Sequence, residues 1–361
     1  PHDRSGTGTH DRSGTGTHDR SDDHRRTGAR GDRRAATTDE PTDDGAARVQ
    51  RRELSVIDVR STGRRSYAAM GSTARAVVVA EDAEALLDHV GRRLDELEQR
   101  WSRFVDHSEI TGLNRAGGAP RRCSRDTVVL IQSMLRAWRT TRGAFDPTML
   151  GALVEAGYVS SRTDPGLSTS IAPDVRWLGR PGDVDVDETS GVVTLPLGTS
   201  LDPGGLGKGL AADLVVDDLM SRGAHGTLIE VGGDLRVSGT PPSGSTWTVS
   251  IAPTPSDEPV LVHLESGAVA TSTTELRRWW TPTGERHHLI DPVGLTSTTT
   301  TVIACTVIAG TGAWAETFTK VPFVRGVDEA LAMFEEHRLA ARIVDMNRSV
   351  FLTSAWKEFA C

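Results

Sequence analysis

The sequence predicts an α+β fold, in which strands and helices are mixed without a regular βαβα alternation. Apolar residues recur at helical spacing in the first half of the chain, whereas short strand-like runs dominate residues 226–310. Helical patterns return at about 312–321 and 327–338, before closing strands near 341–345 and 349–354. We therefore expect one body of two sublayers, spanning residues 61–361, rather than two separable domains.

The first half begins with a strand-like run at 66–80. A helix follows over 81–101, where apolar residues fall on one face. A second helix is predicted at about 125–142, with Ser124 as its N-cap and Gly143 at its end.

Later elements are predicted from turn signals. A hairpin around a Ser-Gly turn is expected at 183–196, and a helix that follows the glycine-rich stretch 201–213 ends near Arg222. The runs that predict the subsequent strands are GTLIEV, GDLRVSG, TWTVSIAP, PVLVHLE, RHHLIDP and TTVIACTVIAG.

Residues 1–60 differ from the rest in composition. HDRSGTGT occurs twice in tandem, at 2–9 and 10–17, and almost no apolar residue precedes Val49. Such a segment cannot bury enough apolar surface to offset the entropy of ordering, so we expect a disordered, low-complexity tail. Four of the 11 histidines lie in it, and metal binding by the repeat is the less favoured interpretation.

Charge and hydropathy exclude several classes of protein. The tail is neutral, so the net charge of −8 belongs to the remainder, which has no overall attraction for nucleic-acid phosphates. The sequence contains no run of 18 apolar residues, so it predicts no membrane span. It also contains no apolar segment followed by a small-residue cleavage site, so it predicts no signal peptide. Cys123, Cys305 and Cys361 lack metal-binding spacing and favour a reducing compartment.

The stretch LDPGGLGKGLAAD (201–213) places glycines around a lysine. It fails the P-loop pattern because Asp202 stands at the first glycine position, and it fails the dinucleotide pattern because Leu210 stands at the third. Its bare backbone at a helix start favours an anion near Lys208, although a glycine-rich turn packed on a neighbour needs no ligand. Lys208 is one of three lysines among 41 basic residues, which indicates either a position that a planar guanidinium does not fit or a codon bias with three chance lysines.

Two further stretches combine functional side chains with a structural alternative. In GAFDPTM (143–149), Phe145 can stack on a flat ring and Asp146 can accept a hydrogen bond, but a core Phe and an Asx-turn also explain them. In GERHHLIDPVG (284–294), strand alternation lets only one of His287 and His288 face a given site, either as a general base or as a packed histidine.

Two last stretches carry carboxylates. LIEVGGDLRVSG (228–239) predicts two strands around a Gly-Gly turn before Asp234, where either a tight hairpin or a ligand against the backbone accounts for the glycines. GAWAETFTKVPFV (312–324) places Glu316 and Lys320 four residues apart on a predicted helix. They form either an i,i+4 ion pair or, through Glu316, a divalent-ion site beside a phosphate.

Taken in order, these motifs resemble those of the FAD:protein FMN transferases, the ApbE-like family. The resemblance runs from about Met70 to about Phe351 and rests on MGST, WSRFVDHSEITGLN, GAFDPT, LDPGGLGKGLAADL, IEVGGDLRVSG, AVATSTTELRR, HHLIDPVG and AWAETFTK. It implies a T-fold-type catalytic body. It also implies transfer of the FMN moiety of FAD to a Thr or Ser hydroxyl of an acceptor flavoprotein, with release of AMP and assistance from Mg²⁺.

The resemblance assigns residues to the site. The positions that match the FAD site are Met70, Phe104, Ala144, Phe145, Asp146, Asp202, Lys208 and Ile290. Many members have Tyr where this chain has Phe104. His288 matches the histidine proposed to deprotonate the acceptor hydroxyl, and Lys208 is expected to assist catalysis. The metal positions fall on the carbonyl of Gly205, on Glu316 and on Lys320.

One departure bears on the metal. The family's usual motif is an Asp followed by a Thr four residues later, whereas this chain has Glu316 and Lys320. A protonated ammonium cannot ligate a metal, so we hypothesise that the charge of Lys320 partly replaces the ion and lowers metal dependence. The alternative is that Glu316 still binds Mg²⁺ while Lys320 contacts a phosphate or pairs with Glu316.

Two other functions are compatible with these residues: an FAD-binding protein without transferase activity, and a metal-dependent FAD pyrophosphatase that yields FMN and AMP. Many family members are exported lipoproteins, but no lipobox cysteine is visible, so cytoplasmic action is expected. Because the chain starts at Pro1 rather than Met, export stays the alternative.

Overall fold

A computed structural model describes residues 61–161, 164–169, 181–252 and 258–360. The predicted disordered tail and Cys361 lie outside the described residues. The strands are β1 (Ser61–Ala69), β2 (Ser72–Ala80), β3 (Arg121–Arg122), β4 (Asp185–Asp187), β5 (Val192–Thr194), β6 (Gly226–Val231), β7 (Asp234–Gly239), β8 (Trp247–Ile251), β9 (Val260–Leu264), β10 (Gly267–Thr273), β11 (Arg278–Thr281), β12 (Gly284–His287), β13 (Ile290–Asp291), β14 (Thr296–Ser297), β15 (Val302–Ala309), β16 (Ala340–Asp345) and β17 (Val350–Leu352). The helices are α1 (Ala83–Trp101), α2 (Glu109–Asn114), α3 (Arg125–Thr140), α4 (Leu150–Glu155), α5 (Gly207–Ser221), α6 (Gly312–Phe318), α7 (Val321–Arg325) and α8 (Val327–Glu336).

An antiparallel sheet in the order β1-β2-β6-β7-β10-β15-β16-β17 organises these elements. Successive side chains point to opposite faces. On β10, Ala268 and Ala270 join the core beneath the helices, and Val269 joins the core on the other face. Helices α1, α5 and α6 pack on the first face, whereas the β8–β9 hairpin packs on the second. The α+β prediction is confirmed.

The predicted helices form because local signals and packing agree. Asp82 caps α1 by accepting from the backbone N of Ala85 at 3.0 Å, and Ser124 caps α3 by accepting from Thr127. Leu87 and Leu94 are fully buried, and each contributes about 1.5–3 kcal/mol through removal of its side chain from water. None of the described helices is long and apolar enough to cross a membrane.

The strand predicted over 66–80 is a hairpin instead. Met70 and Gly71 have φ values of 51° and 64°, and two successive positive φ angles suit the tight turn between twisted strands. The sequence pattern hid this turn because Met rarely adopts a left-handed conformation. The backbone N of Met70 donates to Glu98 Oε2 at 2.8 Å, which holds the turn against α1.

Two other predicted elements are refined. The hairpin at 183–196 is confirmed as the β4–β5 pair, to which β3 adds a third strand. The helix predicted at 312–321 ends at Phe318, and α7 begins at Val321 with a proline in its first turn.

The register places three connections at one end of the main sheet. Ala74 pairs with Val231, so the β1–β2 turn lies beside the β6–β7 turn. Val269 pairs with Leu235, and the last residues of β10 therefore extend to the same end. The glycine-rich stretch before α5 also reaches this end, where the functional side chains gather.

Candidate active site

A cavity of about 300 Å³ opens at this end of the sheet. Its walls come from element ends and connections that are distant in the sequence. Every residue that the sequence assigned to the site lines it: Met70, Phe104, Ala144, Phe145, Asp146, Asp202, Gly205, Lys208, His288, Ile290, Glu316 and Lys320. The tertiary structure thus brings together all of the motif residues, while their individual roles stay predictions.

One part of the wall, here called the charged half, consists of Lys208, Asp234, Glu316 and Lys320. Lys208 Nζ donates to Asp234 Oδ2 and, at 2.8 Å, to Glu316 Oε1. Lys320 Nζ lies 3.7 Å from the same Glu316 oxygen and donates at 2.7 Å to the Glu316 carbonyl. The two carboxylates are nearly inaccessible to solvent, so each buried charge depends on its partners.

Burial and neighbouring charges shift the pKa values of the groups in the charged half, and burial raises the pKa of Asp234 despite the opposing effect of Lys208. Burial lowers the pKa of Lys208, but Asp234 and Glu316 outweigh it and leave the pKa above its ordinary value. Burial raises the pKa of Glu316, but Lys208 and Lys320 outweigh it and leave the pKa below its ordinary value. Burial, helped by Lys208 and Arg277, lowers the pKa of Lys320 despite the two carboxylates. Lys208 is therefore an ammonium paired with an ionised Glu316.

Packing accounts for Gly205, just before α5, and for Gly209, in its first turn. A Cβ on Gly209 would lie 2.3 Å from the carbonyl oxygen of Gly312, so the close contact of α5 with α6 requires glycine there. A Cβ on Gly205 would lie 2.9 Å from the ring of Phe145. The backbone N of Gly209 donates to Glu316 Oε2 at 2.8 Å, which places a carboxylate at the start of α5.

Asp146 forms the Asx-turn that the sequence left open as one alternative, while its hydrogen bond to a ligand stays a prediction. Its Oδ1 accepts from the backbone N of Thr148 at 2.8 Å and from the Thr148 hydroxyl at 2.6 Å, as an Asx-turn requires. The residue also lines the cavity. Burial raises the pKa of Asp146, although the Thr148 hydrogen bonds oppose this shift.

The other part of the wall, here called the aromatic half, consists of Arg103, Phe104 and Tyr158. The Arg103 guanidinium lies 4.1 Å from the Phe104 ring centroid and 4.8 Å from that of Tyr158, within cation–π range. Tyr158 stacks on Trp279 with 5.4 Å between centroids. Arg103 Nε also lies 3.3 Å from Asp202 Oδ1. This network orients both a ring surface and a carboxylate.

The two adjacent histidines separate as strand alternation predicts. His287 is tied into the fold, since its Nε2 lies 3.2 Å from the Thr298 carbonyl oxygen and its Nδ1 accepts from the backbone N of Leu289 at 3.3 Å. His288 lines the cavity, and its buried Nδ1 has no hydrogen-bond partner among the described residues. Burial, followed by nearby Arg277 and Lys320, holds the pKa of His288 well below its ordinary range. Its imidazole is neutral at neutral pH and available to accept a proton.

Four cavity residues were missed as site residues by the sequence reasoning: Arg103, Tyr158, Asp234 and Arg277. Arg103 lies inside the matched segment WSRFVDHSEITGLN, and Asp234 follows a Gly-Gly turn. The sequence pattern around each of these residues therefore indicated a possible site residue. Arg277 has a φ of 56°, an uncommon conformation for a residue other than glycine that often marks a functional position.

The side chains do not fit a divalent cation as they are arranged. Both Glu316 carboxylate oxygens accept hydrogen bonds, from Lys208 and from Gly209. A Cβ on Gly205 would lie 3.6 Å from Lys320 Cε, and Lys320 Nζ lies 3.7 Å from Glu316 Oε1, so the Lys320 side chain is close to both residues. Within the described ranges, no group of three His, Cys, Asp or Glu side chains is placed to hold a metal ion.

The fold and the cavity define an α+β protein with a ligand site at one end of an antiparallel sheet. A model of the ApbE family matches residues 70–343, and the chain belongs to this family.

Comparisons with individual proteins agree with this assignment. The chain is 29% identical to an FAD:protein FMN transferase of Klebsiella pneumoniae, over 80% of this chain and 92% of the relative. It is 27% identical to that of Chlamydia muridarum, over 74% and 84%. Among solved structures, it is similar to the ApbE protein of Thermotoga maritima, with a TM-score of 0.73 at 22% identity, over 83% of this chain and all of the other. The flavin transferase ApbE of Vibrio cholerae gives a TM-score of 0.70 at 20% identity, over 83% and 99%. These two structures establish the fold.

Proposed function

We propose that this chain is an FAD:protein FMN transferase, which moves the FMN moiety of FAD to a Thr or Ser hydroxyl of an acceptor flavoprotein and releases AMP. The observation that carries this proposal is the division of one cavity into an aromatic half and a charged half. A flavin nucleotide has the matching division, because a flat ring system is joined to a diphosphate.

Each half has a role in binding FAD. Phe104 and Tyr158 offer ring surfaces for the flavin, and offset or edge-to-face ring contacts are favourable. Asp146 and Asp202 offer carboxylate oxygens to ring N–H or sugar hydroxyl groups. Lys208, a buried ammonium, suits the diphosphate because it presents a compact positive charge.

The chemistry is a displacement at the phosphorus atom of the FMN moiety. The acceptor oxygen forms a new P–O bond, the P–O bond to the bridging oxygen of the diphosphate breaks, and AMP leaves with that oxygen and the electron pair. The hydroxyl proton passes to the neutral imidazole of His288, which suits a general base since it is not already protonated. Lys208 counters the negative charge that develops on the phosphate oxygens. Positioning and electrostatics are thus the main contributions of the protein.

The test is to incubate the purified chain with FAD and candidate acceptor flavoproteins, each paired with a variant in which the target Thr or Ser is Ala. We expect a fluorescent flavin band that survives denaturing electrophoresis only with the intact acceptor, together with one AMP per flavin attached. FAD binding without a band or AMP would indicate a binding protein. AMP and free FMN without a band would indicate a pyrophosphatase.

The adjacent histidines give a matched pair of variants. His288→Asn is expected to lower the transfer rate at least about 100-fold, the usual contribution of a general base. His287→Asn changes a histidine outside the cavity and should retain transfer within a fewfold. Equal rates for the two variants would contradict the role of His288.

A further inference from the structure

We propose that Lys320, with Lys208 and Arg277, takes the place of a divalent cation in this site, so that the chain binds and cleaves FAD without a metal. This inference rests on the proposed function, because it concerns how the same cavity neutralises the diphosphate of FAD. The position of the Lys320 side chain and the hydrogen bonds around Glu316 support it.

The Lys320 side chain approaches both Gly205 and Glu316. The family resemblance assigns a metal to the space between the Gly205 carbonyl and the side chain at 316. In this chain the Lys320 side chain approaches both residues, with its Cε 3.6 Å from a Cβ built on Gly205 and its Nζ 3.7 Å from Glu316 Oε1. The Nζ is held by the Glu316 carbonyl at 2.7 Å and by the Thr319 hydroxyl at 3.2 Å. A positive charge is therefore already fixed close to both residues.

Both carboxylate oxygens of Glu316 already accept hydrogen bonds. Its Oε1 accepts from Lys208 at 2.8 Å, and its Oε2 accepts from the backbone N of Gly209 at 2.8 Å. Magnesium requires oxygen ligands at about 2.0–2.1 Å in octahedral geometry. An ion at either Glu316 oxygen would share that oxygen with a hydrogen-bond donor, and it would stand beside the ammonium groups of Lys208 and Lys320.

Cations outnumber carboxylates in the cluster around Lys320. The charged groups that act on Lys320 are Glu316, Asp234, Lys208 and Arg277. Within this cluster three cations face two carboxylates, which favours the approach of a diphosphate that carries two negative charges. Two of the three lysines in a chain with 41 basic residues lie in this cluster, which favours a requirement for the compact ammonium.

The experiment measures FAD affinity and Mg²⁺ uptake by the full-length chain, without any acceptor. FAD affinity is measured from flavin fluorescence in excess chelator and in millimolar Mg²⁺. Calorimetric titration of Mg²⁺ into the FAD-saturated chain, with FAD alone as the blank, measures metal uptake. We expect the two FAD affinities to agree within about twofold and no stoichiometric uptake of Mg²⁺, because a fixed ammonium needs no added ion.

Lys320→Thr replaces the ammonium with the hydroxyl that the family usually has. We expect its FAD affinity in chelator to fall about tenfold, the effect of losing one charge-assisted contact, and Mg²⁺ to bind one-to-one and restore the affinity. Lys320→Met, which keeps an apolar stem, should lose affinity in the same way without gaining the ion. Lys357→Thr makes the same change at the exposed third lysine and should behave as the parent chain does.

Different results would overturn the proposed function and the inference about the metal. Failure of the parent chain to bind FAD would overturn the proposed function and this inference together. FAD binding with one-to-one uptake of Mg²⁺ by the parent chain would overturn the inference alone. A folded Lys320→Thr variant that neither loses affinity in chelator nor binds Mg²⁺ would also overturn it, whereas FAD turnover by the parent chain in chelator would support it.

Discussion

The charged half and the aromatic half of the cavity are held together in different ways. In the charged half, Lys208, Asp234, Glu316 and Lys320 satisfy one another through ion pairs and hydrogen bonds. In the aromatic half, rings pack around the Arg103 guanidinium and on one another. Ion pairs in a buried site depend on every partner, whereas ring packing tolerates a change of ring. We therefore expect the charged half to be the less tolerant of substitution.

The largest expected effect comes from removing the central ammonium. Lys208→Met leaves Asp234 and Glu316 buried without their main counter-charge, so the free energy of unfolding should fall by about 3–5 kcal/mol. Urea denaturation near pH 7.5 measures this change, and FMN transfer should be lost. Lys357→Met alters an exposed lysine and should change stability by no more than about 0.5 kcal/mol. Equal stability of the two variants would show that pairing does not hold the charged half together.

An intermediate effect is expected in the aromatic half. Phe104→Ala removes the ring over which Arg103 is placed and should weaken FAD binding about tenfold, with little effect on stability. Phe104→Tyr keeps the ring and restores the residue that many family members have, so its FAD affinity should match that of the parent chain. A loss of affinity in both variants, measured by flavin fluorescence, would argue that ring contact at this position is not what binds FAD.

The smallest effect concerns pH. The pKa of His288 is held well below its ordinary value by burial and by the cations beside it. A histidine with the ordinary pKa would become protonated as the pH falls from 7.5 to 6, and the transfer rate would fall about fourfold. His288 stays neutral over this interval, so we expect a fall of less than about twofold in the single-turnover rate. An acid limb with its midpoint near 6.5 would show that burial and the neighbouring cations do not lower the pKa of His288.

The sequence predicted the site better than it predicted some of the strands. Lys208, Glu316 and Lys320 were identified from motif order and residue rarity, and all three line the cavity. The turn at Met70 and Gly71 was missed because a strand-like apolar run continues across it. Tyr158 was missed as well, since it follows a short helix without a local motif.

The sequence by itself determined the α+β class and the Ser124 cap of α3, and the order of its motifs supplied the candidate site residues as predictions. These depend on short-range patterns, because a cap or an apolar face involves residues only a few positions apart. The tertiary structure alone decided that Lys208 meets Glu316, 108 residues further along the chain, and that Lys320 is close to both Glu316 and Gly205. That arrangement follows from the close approach of α5 and α6 at Gly209 and Gly312. No periodicity encodes such a contact, since it depends on how two helices pack over the same sheet.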